Sequence, residues 1–216
     1  RLAVIIPAHN EAATIGEIAG KASAFGTVFV MDDCSRDATA ENAASAGAIV
    51  LSNTTNLGYD ANIERGLFEA AKRGFDAAVT VDADGEHDPA IIAHFYRQLI
   101  EEKCALALGV RPRKARFSEN IMGLVIKWKY GVTDILCGMK GYRLDLFREN
   151  GGFDHCNSIG TELAIASIRR GHAFVEIPVT GRPRVDQSRF GSLFRANVRI
   201  FRALWNVMTM KLPSPG

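Results

Sequence analysis

Five short apolar runs recur along the first 110 residues, separated by stretches with helical spacing, and this alternation constrains the fold more than any other feature. The runs are LAVIIP (2–7), VFVM (28–31), AIVL (48–51), AAVTV (77–81) and CALALGV (104–110). Between them lie helical segments at 11–24, 37–46, 60–73 and 89–102. The last is opened by Asp88-Pro89, an acidic cap with proline at the first helical position. Continuous apolar runs such as the first are what strands buried on both faces require. Strands joined by helical crossovers form βαβ units, so the sequence predicts an α/β fold with a mostly parallel central sheet flanked by helices. In such sheets ligands bind outside the carboxyl ends of the strands, so the residues that follow each run matter most.

The chain of 216 residues is long enough for one domain with at most a small appendage. No stretch approaches the ~20 consecutive apolar residues that cross a bilayer. The first strand-like run stands at the start of the sequence with no signal-peptide pattern before it. Cys34, Cys104, Cys137 and Cys156 form no CxxC pair and read as reduced thiols of a cytoplasmic protein, not as a disulfide framework or zinc site. The net charge of +2 conceals an asymmetry. Residues 1–110 hold 8 Lys and Arg against 16 Asp and Glu, a balance of −8, whereas residues 111–216 hold 18 against 8, a balance of +10. One half is suited to cations and the other to anions.

The ends of three runs are acidic. The first leads into Pro7-Ala8-His9-Asn10-Glu11, the second into Asp32-Asp33-Cys34-Ser35-Arg36-Asp37, and the fourth into Asp82-Ala83-Asp84-Gly85-Glu86-His87-Asp88. Helix capping accounts for Asp37 and Asp88. It does not account for paired acids directly after a buried strand, which repel unless a cation or donors neutralise them. Asp82 and Asp84 flank a small residue in what reads as an extended segment, so both carboxylates are expected on one side, with Glu86 in the same phase. Three hard oxygen donors suit Mg²⁺ or Mn²⁺, the remaining positions being filled by water and by the phosphates of a ligand. His87 reads as a neighbour of this site more than as a ligand.

The strand-PAHNEA opening, DDCSRDAT, VDADGEHDP, DILCGMKGYR and VEIPVTGRPRVDQSRFGS follow the order found in family 2 glycosyltransferases of the GT-A fold. The chain most resembles the branch that contains dolichol-phosphate mannosyltransferase and bacterial polyprenyl-phosphate glycosyltransferases, from Leu2 to about Leu193. The resemblance implies that Pro7, Ala8, His9, Asn10 and Glu11 line a nucleotide's base and ribose, that Asp32 and Asp33 read the base, and that Ala83 adjoins the nucleotide. It also implies that Asp82 and Asp84 hold the metal and the donor's diphosphate, with Glu86 as third ligand. Arg184, Ser188 and Arg189 resemble the family's RxxGxSK loop, which closes on the diphosphate, although Asp186 replaces the usual Gly and Arg189 the usual Lys. On this likeness Asp82, Asp84, Arg184 and Arg189 are the catalytic candidates.

The basic half supplies the rest. Arg111, within RPRKAR (111–116), and Arg143, within DILCGMKGYR, are expected at the diphosphate or the acceptor, as is Glu162 unless it is a structural hydrogen-bonding group. Relatives that glycosylate sugar hydroxyls carry a Glu-Asp pair whose Asp is the general base; the corresponding residue here is Gly160. A phosphate monoester is already anionic and needs no base. The resemblance therefore implies an inverting enzyme that moves sugar from a UDP- or GDP-sugar to a polyprenyl phosphate. The alternatives are a sugar or lipid-headgroup hydroxyl as acceptor, or nucleotide-sugar binding without turnover. No nucleic-acid partner is expected. Residues 1–191 are read as the catalytic domain, and residues 192–216 as a basic amphipathic helix packed on it or facing a membrane. That helix sets Arg195, Arg199, Arg202 and Asn206 on one face and Leu193, Phe194, Phe201, Leu204, Trp205 and Met208 on the other. The protein is thus expected in the cytoplasm or peripherally at the cytoplasmic face of a membrane.

Overall fold

The first apolar run becomes an interior strand. In the computed structural model, which describes residues 1–112, 117–179 and 193–212 (without the side chains of 193–196), β1 (Leu2–Ala8) lies between two parallel neighbours. These are β2 (Thr27–Asp32) and β4 (Ala77–Thr80); β2 in turn pairs with β3 (Ile49–Ser52). β5 (Leu106–Val110) follows the fifth run. Two further strands, β6 (Lys140–Arg143) and β7 (Phe174–Pro178), complete a sheet of order β3-β2-β1-β4-β6-β5-β7. Only β6 is antiparallel to its neighbours, so the sheet is mostly parallel, as the alternation predicts.

The sequence pattern did not reveal β6 and β7. β6 is the polar tetrapeptide KGYR, which is buried only because β4 and β5 flank it. β7 is an edge strand ending in Pro178, where a missing N–H is tolerated.

The crossovers are α1 (Ile15–Ala22), α2 (Thr39–Ser45), α3 (Tyr59–Lys72) and α4 (Ile92–Tyr96). The helix expected over 89–102 is composite: a 3₁₀ turn (Pro89–Ile91), α4 and a π turn (Arg97–Glu101), with Asp88 capping the start by accepting from Ala90 N at 3.0 Å. In the second half come α5 (Phe117–Tyr130), α6 (Leu144–Asn150), α7 (Glu162–Arg169) and α8 (Leu193–Thr209). Period-2 alternation divides β1 between two cores. Ala3 and Ile5 pack with residues of α3, α5, α6, α7 and α8; Val4, Ile6 and Ala8 pack with α1, α4 and Ala43 of α2. β1 is thus apolar on both faces and places its polar continuation, His9 onward, at the rim of the sheet.

α8 departs from its expected faces. Ile200, Ala203 and Val207 are buried, while Phe201 and Trp205 stand in solvent at 41% and 71% exposure, beside the exposed Arg202. The packed stripe is offset from the Phe201/Trp205 face assigned from spacing, because α5 sets which residues are covered. Met122 and Ile126 of α5 belong to the same core cluster as Ile200 and Val207, and Ser118 donates to Asn197 Oδ1.

Candidate active site

The carboxyl ends of β2, β1 and β4 are adjacent, so the three acidic segments converge on one rim. After β1 the chain turns sharply. Asn10 adopts a left-handed conformation (φ 55°), its N–H donates to Ser35 Oγ at 2.9 Å, and its Oδ1 accepts from Arg36 N at 2.9 Å. His9 Nδ1 lies 2.7 Å from the Asp33 carbonyl, and Cys34 is also left-handed (φ 61°). These contacts lock the segments after β1 and β2 together. Beside them is a cleft of about 530 Å³ lined by His9, Asn10, Cys34, Arg36, Thr54, Thr55 and Asn56.

Only His9 and Asn10 of the expected nucleotide residues line that cleft. Pro7 and Ala8 are within β1, and Glu11 is buried with its N–H donating to Thr39 Oγ1 at 2.7 Å. Asp32 is buried and accepts from Ser35 N at 3.2 Å. Asp33 is committed to the segment after β3: Oδ1 accepts from Leu57 N (2.7 Å) and Asn53 Nδ2 (2.9 Å), and Oδ2 from Gly58 N (2.9 Å). Burial works to raise its pKa, but the donors of Leu57, Asn62, Asn53 and Gly58 outweigh that and hold it below the usual carboxylate value. Its evident work is to shape the 53–58 segment. The lining residues Thr54–Asn56 follow β3, whose immediate continuation carries no acidic residue to mark it in the sequence.

At the end of β4 the expected extended geometry is corrected. Ala83 and Asp84 form a turn, closed by Glu86 N donating to Asp84 Oδ1 at 3.0 Å. An acid accepting from the N–H two residues on is an Asx turn, a competitor to extended chain that Asp favours. Ala83 is buried, and its carbonyl accepts from Thr14 Oγ1 at 2.6 Å, which fastens the turn ahead of α1. Asp82 is half-buried and accepts from Tyr59 Oη at 2.9 Å. Its carboxylate faces Gly138 so closely that a Cβ there would fall 2.2 Å from Oδ2. Only glycine leaves that carboxylate its place.

Asp82, Asp84 and Glu86 are not drawn together as a preformed cage. Among the described residues, the one group of three His, Cys, Asp or Glu ligand atoms within 4.8 Å of one another is Asp154, Cys156 and Glu162. The oxygen-only donor set on one turn and the cradle at Gly138 nevertheless fit a hard divalent ion, which takes part of its shell from water and ligand phosphates. Next to this turn His87 is buried at 4% exposure with no hydrogen-bond partner for Nδ1 among the described residues.

In the basic half the structure departs from what was expected of Arg111 and Arg143, and gives Glu162 the structural role that its expectation left open. Arg111 forms a fork on Asp134 (Nε–Oδ2 2.8 Å, Nη2–Oδ1 3.0 Å) and reaches Glu119 at 3.4 Å, in a site where both acids are buried. Burial disfavours its charge, but the hydrogen bond and charge of Asp134, with Glu119, keep it firmly protonated. Arg111 belongs to the scaffold. Arg143 pairs with Ala77 while Lys140 pairs with Thr80, because β6 is antiparallel to β4. At ~3.3 Å per residue this puts Arg143 about 10 Å back from Thr80, the last residue of β4, and its partner is Asp145. Glu162 accepts from His155 N (2.7 Å), Cys156 N (2.8 Å) and His155 Nδ1 (2.8 Å), and so pins the segment before α7. Arg184, Ser188 and Arg189 lie outside the described residues.

Lys140, not Arg143, stands at the site end of β6. It is buried, its Nζ donates to the Gly160 carbonyl at 2.7 Å, and burial draws its pKa below the usual lysine value. Cys137 is also buried, and burial with Asp134 pushes its thiol up to about 12, so it is a protonated packing residue.

Residues 3–151 match the family described as "Glycosyl transferase family 2". The chain is 29% identical over 141 residues to an uncharacterized protein, MJ1222, of Methanocaldococcus jannaschii, covering 64% of this chain and 58% of that protein's length. It is 28% identical over 204 residues to the undecaprenyl-phosphate mannosyltransferase of Micrococcus luteus, covering 83% of each. Among solved structures it is similar to glucosyl-3-phosphoglycerate synthase of Mycobacterium tuberculosis in complex with Mn²⁺, UDP and phosphoglyceric acid. The TM-score is 0.76 at 19% identity, over 97% of this chain and 79% of that one. The likeness extends the shared architecture beyond the matched segment, to α7 and β7.

Proposed function

We propose, for this chain, which belongs to glycosyl transferase family 2, an inverting transfer of a sugar from a nucleoside diphosphate to a polyprenyl phosphate. The observation that carries this reading is the junction of two features: the cleft at His9, Asn10 and Thr54–Asn56, and the acidic turn Asp82–Glu86 at the end of the next strand but one from β2. In this reading a nucleoside occupies the cleft and its diphosphate extends toward the turn. Asp82, Asp84 and Glu86 would hold Mg²⁺ or Mn²⁺, and the bound ion would neutralise charge on the departing diphosphate. Tyr59 orients the Asp82 carboxylate, and Gly138 leaves it room. The acceptor's phosphate oxygen attacks the anomeric carbon from the face opposite the leaving group, and the C1–O bond to the diphosphate breaks. The relatives' printed names, undecaprenyl-phosphate mannosyltransferase above all, support the acceptor class.

A lipid acceptor requires approach to a bilayer, and two neighbouring helices are equipped for it. α5 exposes Phe117, Leu124 and Trp128 (73%, 72% and 85%), and α8 exposes Val198, Phe201 and Trp205. Lys127, Lys129 and Arg202 are exposed on the same helices, and such cations each contribute ~1 kcal/mol near an anionic lipid surface. No described helix is long and apolar enough to cross a membrane. The test is transfer of radiolabelled sugar from GDP-mannose or UDP-glucose, with MnCl₂, to undecaprenyl phosphate in phosphatidylglycerol vesicles. Labelled lipid product is expected; its absence with both donors, while the chain binds one of them, would overturn the acceptor.

The cleft has its own reporter. Cys34 Sγ lies among its lining residues, 3.5 Å from the Thr54 carbonyl. A saturating nucleotide sugar is expected to slow alkylation of Cys34 by N-ethylmaleimide at least about tenfold, since a ligand at many times its Kd leaves little free site. Peptide mass mapping reads this directly. Undiminished labelling of Cys34 by the ligand-saturated protein would remove the cleft from the donor site.

A further inference from the structure

Asp60 is the second residue of α3 and follows Tyr59, the residue bound to Asp82. Its Oδ1 is sealed from solvent without a hydrogen-bond partner among the described residues, although the side chain as a whole is 23% exposed. Three charged groups face it from other elements: Lys140 from β6, Asp154 from the segment before α7, and Arg199 of α8, whose Nη2 is 3.8 Å from Oδ2; the hydroxyls of Tyr142 (β6) and of its neighbour Tyr59 also feel its charge. Burial and Asp154 raise the carboxyl to about 6, against Arg199 and Lys140, which lower it. A carboxyl near 6 is a competent proton acceptor at neutral pH.

One residue packs directly against it. A Cβ at Gly160 would lie 3.1 Å from Asp60 Oδ1 and 3.0 Å from the Phe153 ring. The Gly160 loop is built at a cost: Asn157, Ile159 and Gly160 all have positive φ (55°, 58° and 62°), a rare conformation for a β-branched residue. Asp154, accepting from Ser158 N and Gly160 N at 2.9 Å, holds it, and Lys140 ties Gly160 to β6. In sheet order the nucleotide cleft lies by β3, β2 and β1, Asp82 ends β4, and this loop is fastened to β6. Through Gly160 and Lys140, Asp60 faces the β6 side of Asp82, away from the nucleotide cleft, and in this reading the acceptor approaches on that side. A phosphate acceptor has no use for a base there; a hydroxyl does.

We propose that Asp60 is a general base that gives this site a second acceptor class, hydroxyl groups, water included. This rests on the reading of the Asp82 turn as the donor site. In the step, the hydroxyl oxygen bonds to the anomeric carbon while its proton passes to the Asp60 carboxylate. The C1–O bond breaks, and the nucleoside diphosphate leaves with the bonding pair. The test uses water and glycerol as hydroxyl probes. UDP or GDP release from UDP-glucose and GDP-mannose is followed with MnCl₂ and no lipid, beside transfer to undecaprenyl phosphate by the same preparations. Wild type is expected to release nucleoside diphosphate at a rate that rises through pH about 6 and levels off. Asp60→Asn is expected to lower the ratio of hydroxyl-dependent release to phosphate transfer at least about 100-fold and to lose the pH rise. An unchanged ratio, a pH rise that persists in the variant, or lipid transfer by wild type without any hydroxyl-dependent release would each overturn the proposal. Donor binding and release without lipid transfer would overturn the phosphate acceptor alone, and the absolute release rate of Asp60→Asn would then decide the role of Asp60. No donor binding at all would overturn both.

Discussion

Asp84→Ala is expected to lower kcat/KM for sugar transfer at least about 1000-fold while the melting temperature moves by only a few degrees. Asp84 sits at 8% exposure on the turn after β4, and its Oδ1 closes that turn by accepting from Glu86 N. Alanine removes a charge and a turn acceptor together, so Asp84→Asn is the necessary companion. Asparagine keeps a side-chain oxygen for Glu86 N but loses the charge. If the carboxylate's task is to neutralise a cation that shields the leaving diphosphate, both variants fail alike and excess MnCl₂ restores little. If its task is to shape the turn, asparagine recovers most of the rate. Retention of more than about a tenth of wild-type transfer by Asp84→Asn would sink the metal-holding role. Calorimetry with and without EDTA adds a second readout, since wild type alone is expected to bind donor more tightly with Mn²⁺.

The fold and the gathering of three acidic segments on one rim were legible because both follow from short-range pattern. Continuous apolar runs specify buried strands, crossovers make them parallel, and parallel strands put their continuations on one rim. Asp82, Asp84, His9 and Asn10 were placed on that rim in this way. What was illegible depends on partners distant in sequence. The spacing within KGYR does not say which end of β6 meets Asp82; the antiparallel register does, and it exchanges Arg143 for Lys140. Asp60 reads from sequence as an ordinary acid in the first turn of a helix, favoured there by the helix dipole. Its isolation comes from Gly160, a hundred positions away in the chain. Asp33 looks like half of an acidic pair until the N–H groups of Leu57 and Gly58 are seen to occupy it.

Arg111 provides the sharpest contrast between the two levels, and its replacement is expected to act on stability before anything else. From sequence it belongs to a basic run suited to a diphosphate; in the fold its fork grips Asp134 and reaches Glu119, at 2% and 3% side-chain exposure, with Arg111 itself at 17%. A bidentate pair in such surroundings gains little over apolar packing while intact, but loss of one member leaves buried charge without its counter-ion, which costs ~3–5 kcal/mol. For a chain of this size ~1 kcal/mol corresponds to about 2–4 °C, so Arg111→Met is expected to lower Tm by about 6–20 °C. Methionine keeps much of the stem's volume, so the loss is electrostatic more than steric. Donor affinity of the folded fraction, measured well below Tm, is expected to stay within a few-fold of wild type. The opposite result, an unchanged Tm with donor binding lost, would return Arg111 to the diphosphate. It would also mean that the Asp134 contact gives way when the nucleotide sugar arrives.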